Sequence, residues 1–137
     1  MTRPVGRRGN LELILDWIAA LRSGETDAIA DLLDPDVVWH GVSGDLVCVG
    51  RAEVVDVLGE QIPLRIDVDA LELICAPGRV VVGTRSDQLP EPPGVDLGGQ
   101  IYNVFERRDC RFVAIRDFAR RSEALEAAGL AGVTPWR

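Results

Sequence analysis

The sequence predicts an α+β domain in which helices come first and one curved antiparallel sheet follows, its inner face covered by those helices. Three observations predict this. Apolar residues recur at helical spacing across residues 11–33 and 51–62. From Leu64 to Ala119 the spacing changes to alternation, in four consecutive runs, which is the mark of an antiparallel meander. The alternation slips phase after Ala70, which implies a bulge, and bulges bend sheets.

Residues 1–9 read as a basic tail carrying Arg3, Arg7 and Arg8. Asn10 is placed to cap a first helix and Gly24 to stop it. Leu11, Ile14, Leu15, Ile18 and Leu21 form its apolar stripe, widened by Leu13 and Trp17. Thr26 is placed to cap a second helix with Ile29, Leu32 and Leu33 inward, and Pro35 to end it. Val37 to His40 reads as a short strand, and Val42 to Asp45 as a loop. Gly50 opens a third helix, Arg51 to Glu60, with Val54, Val55, Leu58 and Ile62 inward and Pro63 closing it.

A long curved strand follows from Leu64 to Cys75, then a tight turn at Ala76-Pro77-Gly78. Arg79 to Asp87 is the next strand. Gln88 to Gly99 is a proline- and glycine-rich loop of functional length. Gly99 to Arg108 and Phe112 to Ala119 complete the meander, with a turn at Asp109-Cys110. Ser122 caps a last helix, Glu123 to Ala128, stopped by Gly129. The expected organisation is one domain over residues 10–129, with a C-terminal tail over 130–137 in which Trp136 is docked.

Bulk composition narrows the chemistry. The net charge of −7 argues against a nucleic-acid surface, which would need a basic stripe. All 15 basic residues are arginine, so no lysine Schiff base is available. One histidine excludes a multi-histidine zinc site. The three cysteines are dispersed and odd in number, and read as small buried hydrophobes in a reducing compartment. The apolar run after the basic tail is broken by Glu12 and Asp16, and no stretch is long enough to span a membrane. The expectation is a cytoplasmic protein.

The chemical focus is Asp117, a carboxylate set in the apolar run Phe112 to Ala119. Alternation puts Val113, Ile115 and Asp117 on one face and Phe112, Ala114, Arg116 and Phe118 on the other. A carboxylate among apolar neighbours is costly unless paired or protonated, which makes it a candidate for a shifted pKa. Arg85 and Asp87 share one side of the strand that begins at Arg79. If that is the side of Asp117, an Asp-Arg-Asp triad results. Its two acids could divide between acid and base roles, activating a water and protonating a leaving oxygen. The competing reading is an ion-pair network at strand ends. Trp39 and His40 face opposite ways, with Trp39 the expected pocket wall and His40 a weaker candidate. Only one of Tyr102 and Asn103 faces the pocket, and Trp17 and Phe105 read as core aromatics beside it.

The helical start, the segments "DPDVVWHG" and "GRAEVVDVL", and the meander ending "VAIRDF" resemble the nuclear transport factor 2-like superfamily of SnoaL-like proteins, over Leu11 to Ala128. The resemblance implies a cone-shaped curved antiparallel sheet wrapped over N-terminal helices, a cystatin-like roll enclosing an apolar pocket. It implies a small apolar ligand, no cofactor, and no nucleic-acid or membrane partner. Within the superfamily, "TRSD" followed by "IRDF" is most similar to limonene-1,2-epoxide hydrolase. Carried over, Asp117 is the base on water, Asp87 the acid toward the epoxide oxygen, and Arg85 the bridge. The tyrosine and asparagine that hold the water in that family correspond here to Trp39 and Gly41. The other readings the resemblance allows are a SnoaL-like cyclase or isomerase and a non-catalytic ligand-binding or sensing protein. The superfamily commonly pairs apolar outer sheet faces. Here that face is expected to carry Phe112, Ala114 and Phe118 with Val80, Val82 and Thr84, which implies a homodimer.

Overall fold

The computed structural model describes residues 9–42, 46–61, 70–87, 89 and 96–130. The early half of the expected curved strand (64–69), Ile62, Pro63, the Ser43 to Asp45 turn, much of the 88–99 loop and both tails with Trp136 lie outside the described residues.

The elements are α1 (Asn10–Ser23), α2 (Thr26–Asp31), β1 (Leu33–His40), β2 (Val47–Val49), α3 (Arg51–Gln61), β3 (Ala70–Ala76), β4 (Arg79–Arg85), β5 (Gln100–Arg108), β6 (Arg111–Phe118) and α4 (Arg121–Ala127). The six strands form one curved, unclosed sheet in the order β2-β1-β6-β5-β4-β3. From β3 to β6 the strands run as the expected antiparallel meander. The sheet as a whole is mixed, because β1 lies parallel beside β6. A long connection through α3 makes that parallel pairing possible, and short hairpins could not.

Local chemistry explains the element ends. The backbone N–H of Gly24, at φ 74°, donates to the carbonyls of Ala20 and Leu21 and closes α1. Asn10 is the first residue of α1 rather than its cap. Its side-chain amide donates to the carbonyls of Ala76 and Arg79 and ties the helix to the β3–β4 turn. Thr26 likewise begins α2, with Glu25 before it in an extended conformation.

β1 starts at Leu33, earlier than the proline suggested. The register with β6 breaks between Leu33 and Val38. Pro35 therefore sits at an irregularity, where its missing N–H removes no ladder bond. β2 was not expected from the sequence. Three residues are too few for periodicity to reveal, and β2 is held by antiparallel pairing with Val38 to His40.

The sheet has two different faces. One packs on α1, α2 and α3 through Leu13, Ile14, Trp17, Ile29, Leu33, Val37, Trp39, Val54, Val80, Val82, Phe105, Phe112 and Ile115. The other packs on α4 through Val81, Tyr102, Val104, Ala124, Leu125 and Ala128.

This arrangement corrects two expectations. Phe112, Val80 and Val82 belong to the helix-covered core and not to an outer face. The reason at Phe112 is a bulge: Glu106 pairs with Ala114 while Arg107 pairs with Phe112, so Val113 is an extra residue in β6. Phe112 then joins Ile115 on the core side. Its ring lies 5.0 Å from that of Phe105 and 5.7 Å from that of Trp17. The α1 stripe is also rotated from its expected position. Leu13, Ile14, Trp17 and Ala20 are buried, whereas Leu11 and Leu15 are 50% and 48% exposed. No helix among the described residues is long and apolar enough to cross a membrane.

Candidate active site around Asp117

β6 carries Asp117 near its C-terminal end, flanked by β1 and β5. Asn103 on β5 is its directly opposed partner in the register. The Asn103 amide Nδ2 donates to Asp117 Oδ1 at 2.6 Å. From the other side, the indole Nε1 of Trp39 donates to Asp117 Oδ2 at 2.9 Å. Trp39 stands opposite Ile115, so its long side chain reaches diagonally, two residues along β6. Each carboxylate oxygen thus accepts one neutral N–H.

The electrostatics follow from this enclosure. Burial raises the Asp117 pKa from 3.8 to about 6, while the hydrogen bonds from Asn103 and Trp39 act in the opposite direction. Among the described residues no guanidinium hydrogen-bonds to it. The residue as a whole keeps partial exposure. In the core on the same face of the sheet, Trp17, Phe105 and Phe112 make a cluster of edge-to-face and tilted rings.

Arg85 does not join this group. The register aligns Val82 with Asn103 and Asn103 with Asp117, so the even-numbered residues of β4 share the Asp117 face. Arg85 is opposite Gln100 and lies on the other face, with Gly83 and Tyr102. Asp87 lies beyond the end of β4 and is exposed. The expected pairing of Arg85 with Asp117 on one side of the sheet is therefore corrected, because an odd–odd match in numbering does not survive the inter-strand register.

Tyr102 is buried on the α4 side, and its hydroxyl donates to Gln100 Oε1 at 3.1 Å. His40 is exposed and stands beside Arg116 in the register, facing away from Asp117. A shallow open groove of about 300 Å³, lined by Arg116, Phe118, Glu123, Glu126 and Ala127, lies on that same far side.

One residue of this region escaped sequence reasoning. Cys48 on β2 pairs with Trp39, is buried, and faces the same side. Its thiol pKa is raised by burial first, then by the negative charges of Glu53 and Asp117. The only sequence signal was the apolar triplet Val47-Cys48-Val49 before a helix start. Among the described residues no three His, Cys, Asp or Glu side chains are placed to hold a metal ion.

A half-buried carboxylate that titrates near neutrality and is aimed by two neutral donors can accept a proton from a bound ligand. It can also accept a hydrogen bond from one.

Known proteins place this arrangement in context. The model of the SnoaL-like domain family matches residues 14–115. No curated protein matches the chain. Among solved structures, an NTF2-like protein of unknown function from Cytophaga hutchinsonii is similar at a TM-score of 0.63 and 10% identity, over 86% of this chain and 93% of that one. A putative polyketide cyclase from Sinorhizobium meliloti is similar at a TM-score of 0.60 and 15% identity, over 77% and 93%. A protein with a ketosteroid isomerase-like fold from Catenulispora acidiphila, in complex with trimethylamine, is similar at 0.55 and 18%, over 90% and 98%. At these identities the likeness is one of fold.

Proposed function

The chain belongs to the SnoaL-like domain family, and on that premise we propose that it is a small-molecule enzyme in which Asp117 moves a proton on an apolar carbonyl compound. The observation that carries this reading is the Asp117 carboxylate itself. It is enclosed, near pH 6 in its titration, and fixed by Trp39 and Asn103 with no guanidinium bonded to it among the described residues. A base is most effective when its pKa lies near the working pH.

The step runs as follows. The ionised carboxylate removes a proton from carbon adjacent to a carbonyl, becoming the neutral acid, and the C–H electron pair passes into an enolate. The acid then returns the proton to another carbon, which is isomerisation. Alternatively the enolate carbon attacks a second carbonyl of the same molecule, a C–C bond forms, and the new alkoxide takes the proton, which is cyclisation. The labels of a polyketide cyclase and a ketosteroid isomerase-like fold on similar structures fit this class of chemistry.

Epoxide hydrolysis fits the geometry less well. It needs a water held beside the base and an acid facing it. The indole N–H of Trp39 has no acceptor to offer a water and is already bonded to Asp117. Arg85 stands on the opposite face of the sheet.

The test is a panel of β,γ-unsaturated ketones, 1,3-dicarbonyl compounds and epoxides, assayed with wild type and Asp117→Asn. Asp117-dependent isomerisation, cyclisation or deuterium exchange at carbon is the expected result. Equal turnover by the two proteins removes Asp117 as the base, and turnover of epoxides alone restores hydrolysis.

A second reading is a binding protein for small amines, favoured by the trimethylamine held by one similar structure and by the negative charge Asp117 carries above about pH 6. It predicts calorimetric binding of trimethylammonium at pH 7.5 that is lost at pH 5 and in Asp117→Asn. Pairing of two copies belongs to the same proposal. It would use the side of β1 and β2 that carries Val47 and Val49, which are 46% and 61% exposed. Sedimentation of Val49→Asp against wild type tests it.

A further inference from the structure

We propose that Trp39 and Asn103 are positioning residues that clamp the Asp117 carboxylate from the two strands flanking β6, fixing its rotation and favouring its ionised form. The inference deepens the reading of Asp117 as a base and rests on it. Its own ground is geometric.

One donor comes from each side of β6 and meets one oxygen each, at 2.9 Å from Trp39 and 2.6 Å from Asn103. An indole N–H and an amide NH₂ can only donate. In the orientation present both groups donate, and a hydrogen bond donated to a carboxyl oxygen favours the carboxylate over the acid. Trp39 is 6% exposed and packed in the core, so its N–H has one direction available. Asn103 is set by its ladder position opposite Asp117. The dependence is mutual, because a buried indole N–H without the carboxylate would be left unsatisfied.

Titratable groups stand on both faces of the sheet around Asp117, with Tyr102 and Glu106 of β5 on the opposite face. Cys48 on β2 faces it, and Glu53 on α3 acts on that thiol. His40 on β1 and Arg116 on β6 face the opposite side. Burial pushes the carboxyl upward and the two donors pull it back. Removing a donor leaves burial less opposed, so the titration midpoint must rise. A merely structural role predicts the reverse, since a loosened core admits water and lowers the midpoint.

The experiment is a carbon-13 NMR titration of aspartate carboxyl groups, with the Asp117 signal identified by its absence in Asp117→Asn. Trp39→Phe removes a donor while keeping an aromatic ring, and Asn103→Leu removes one while keeping a side chain of similar size. The expected result in each is a midpoint about one pH unit above that of wild type, the order of one charge-assisted hydrogen bond. Midpoints that stay at the wild-type value or fall overturn the proposal. Asn103→Leu alone decides if Trp39→Phe does not fold. No substrate enters this measurement. Raised midpoints with no turnover on any panel compound would remove the catalytic reading and leave the clamp, and unchanged midpoints with Asp117-dependent turnover would do the opposite.

Discussion

Two carboxylates of the same sheet, Asp117 and Glu72, stand on opposite faces and have opposite surroundings. Glu72 on β3 receives both Nε and Nη2 of Arg121, at 2.9 and 2.8 Å, and so ties α4 to the edge of the sheet. Both side chains are 13% exposed. The pairing raises the Arg121 pKa, chiefly through the hydrogen bond to Glu72. Asp117 is enclosed with neutral donors only, and burial drives its pKa up to about 6. A bidentate guanidinium makes a carboxylate a structural tie. Burial with neutral donors makes it a group that exchanges its proton near physiological pH. Arginine, although abundant in the chain, was therefore the wrong partner to expect at Asp117. It serves the structural carboxylate instead.

The contrast can be broken most strongly at Asp117. Asp117→Asn is expected to lower turnover of a panel substrate by about 10²- to 10⁴-fold, the usual contribution of a positioned base. The wild-type rate should rise with pH through about 6, as the carboxylate loses its proton. Glu72→Gln or Arg121→Met should leave turnover intact and destabilise the protein by about 3 kcal/mol, because each strands a largely buried partner. Replacing both with apolar residues should recover most of that loss in urea unfolding.

Stability against pH sharpens the same contrast. Asp117 holds its proton more tightly folded than unfolded, so between about pH 4 and 6 the native state binds more protons. Stability must then fall as pH rises through that window, by up to about 3 kcal/mol from this one group. Measured as the difference between wild type and Asp117→Asn in urea unfolding, the slope should vanish in the variant.

On the α4 side, a methyl added at Gly83 would lie 2.6 Å from Cε1 of the buried Tyr102 ring. Gly83→Ala should destabilise by about 1–3 kcal/mol with turnover unchanged. The smallest expected effect is at Leu15, 48% exposed, where Leu15→Ala should change stability by less than about 0.5 kcal/mol. Ile14→Ala, at a fully buried neighbour, should cost about 2–5 kcal/mol.

That last pair shows where legibility stopped. Helical spacing marked α1 and its apolar content, yet both Leu15 and Ile14 fitted the stripe. A chain with this many leucines has more apolar positions than the core has room for, and contact with the sheet selects among them. At the site, alternation correctly separated Trp39 from His40 and Tyr102 from Asn103. It could not say that Asn103 rather than Arg85 would reach Asp117. The place of Cys48 beside Trp39 was invisible because β2 has no periodicity of its own and exists only by pairing with β1.

The sequence by itself determined the helices before the meander, the four-strand run and the presence of one carboxylate in an apolar strand. These depend on periodicity along the chain, which neighbouring residues dictate. Only the tertiary structure decided that β1 lies parallel beside β6, that Val113 bulges and turns Phe112 into the core, and that Trp39 and Asn103 meet Asp117. Those outcomes depend on the register between strands distant in sequence. A shift of a single residue there exchanges one face of the sheet for the other.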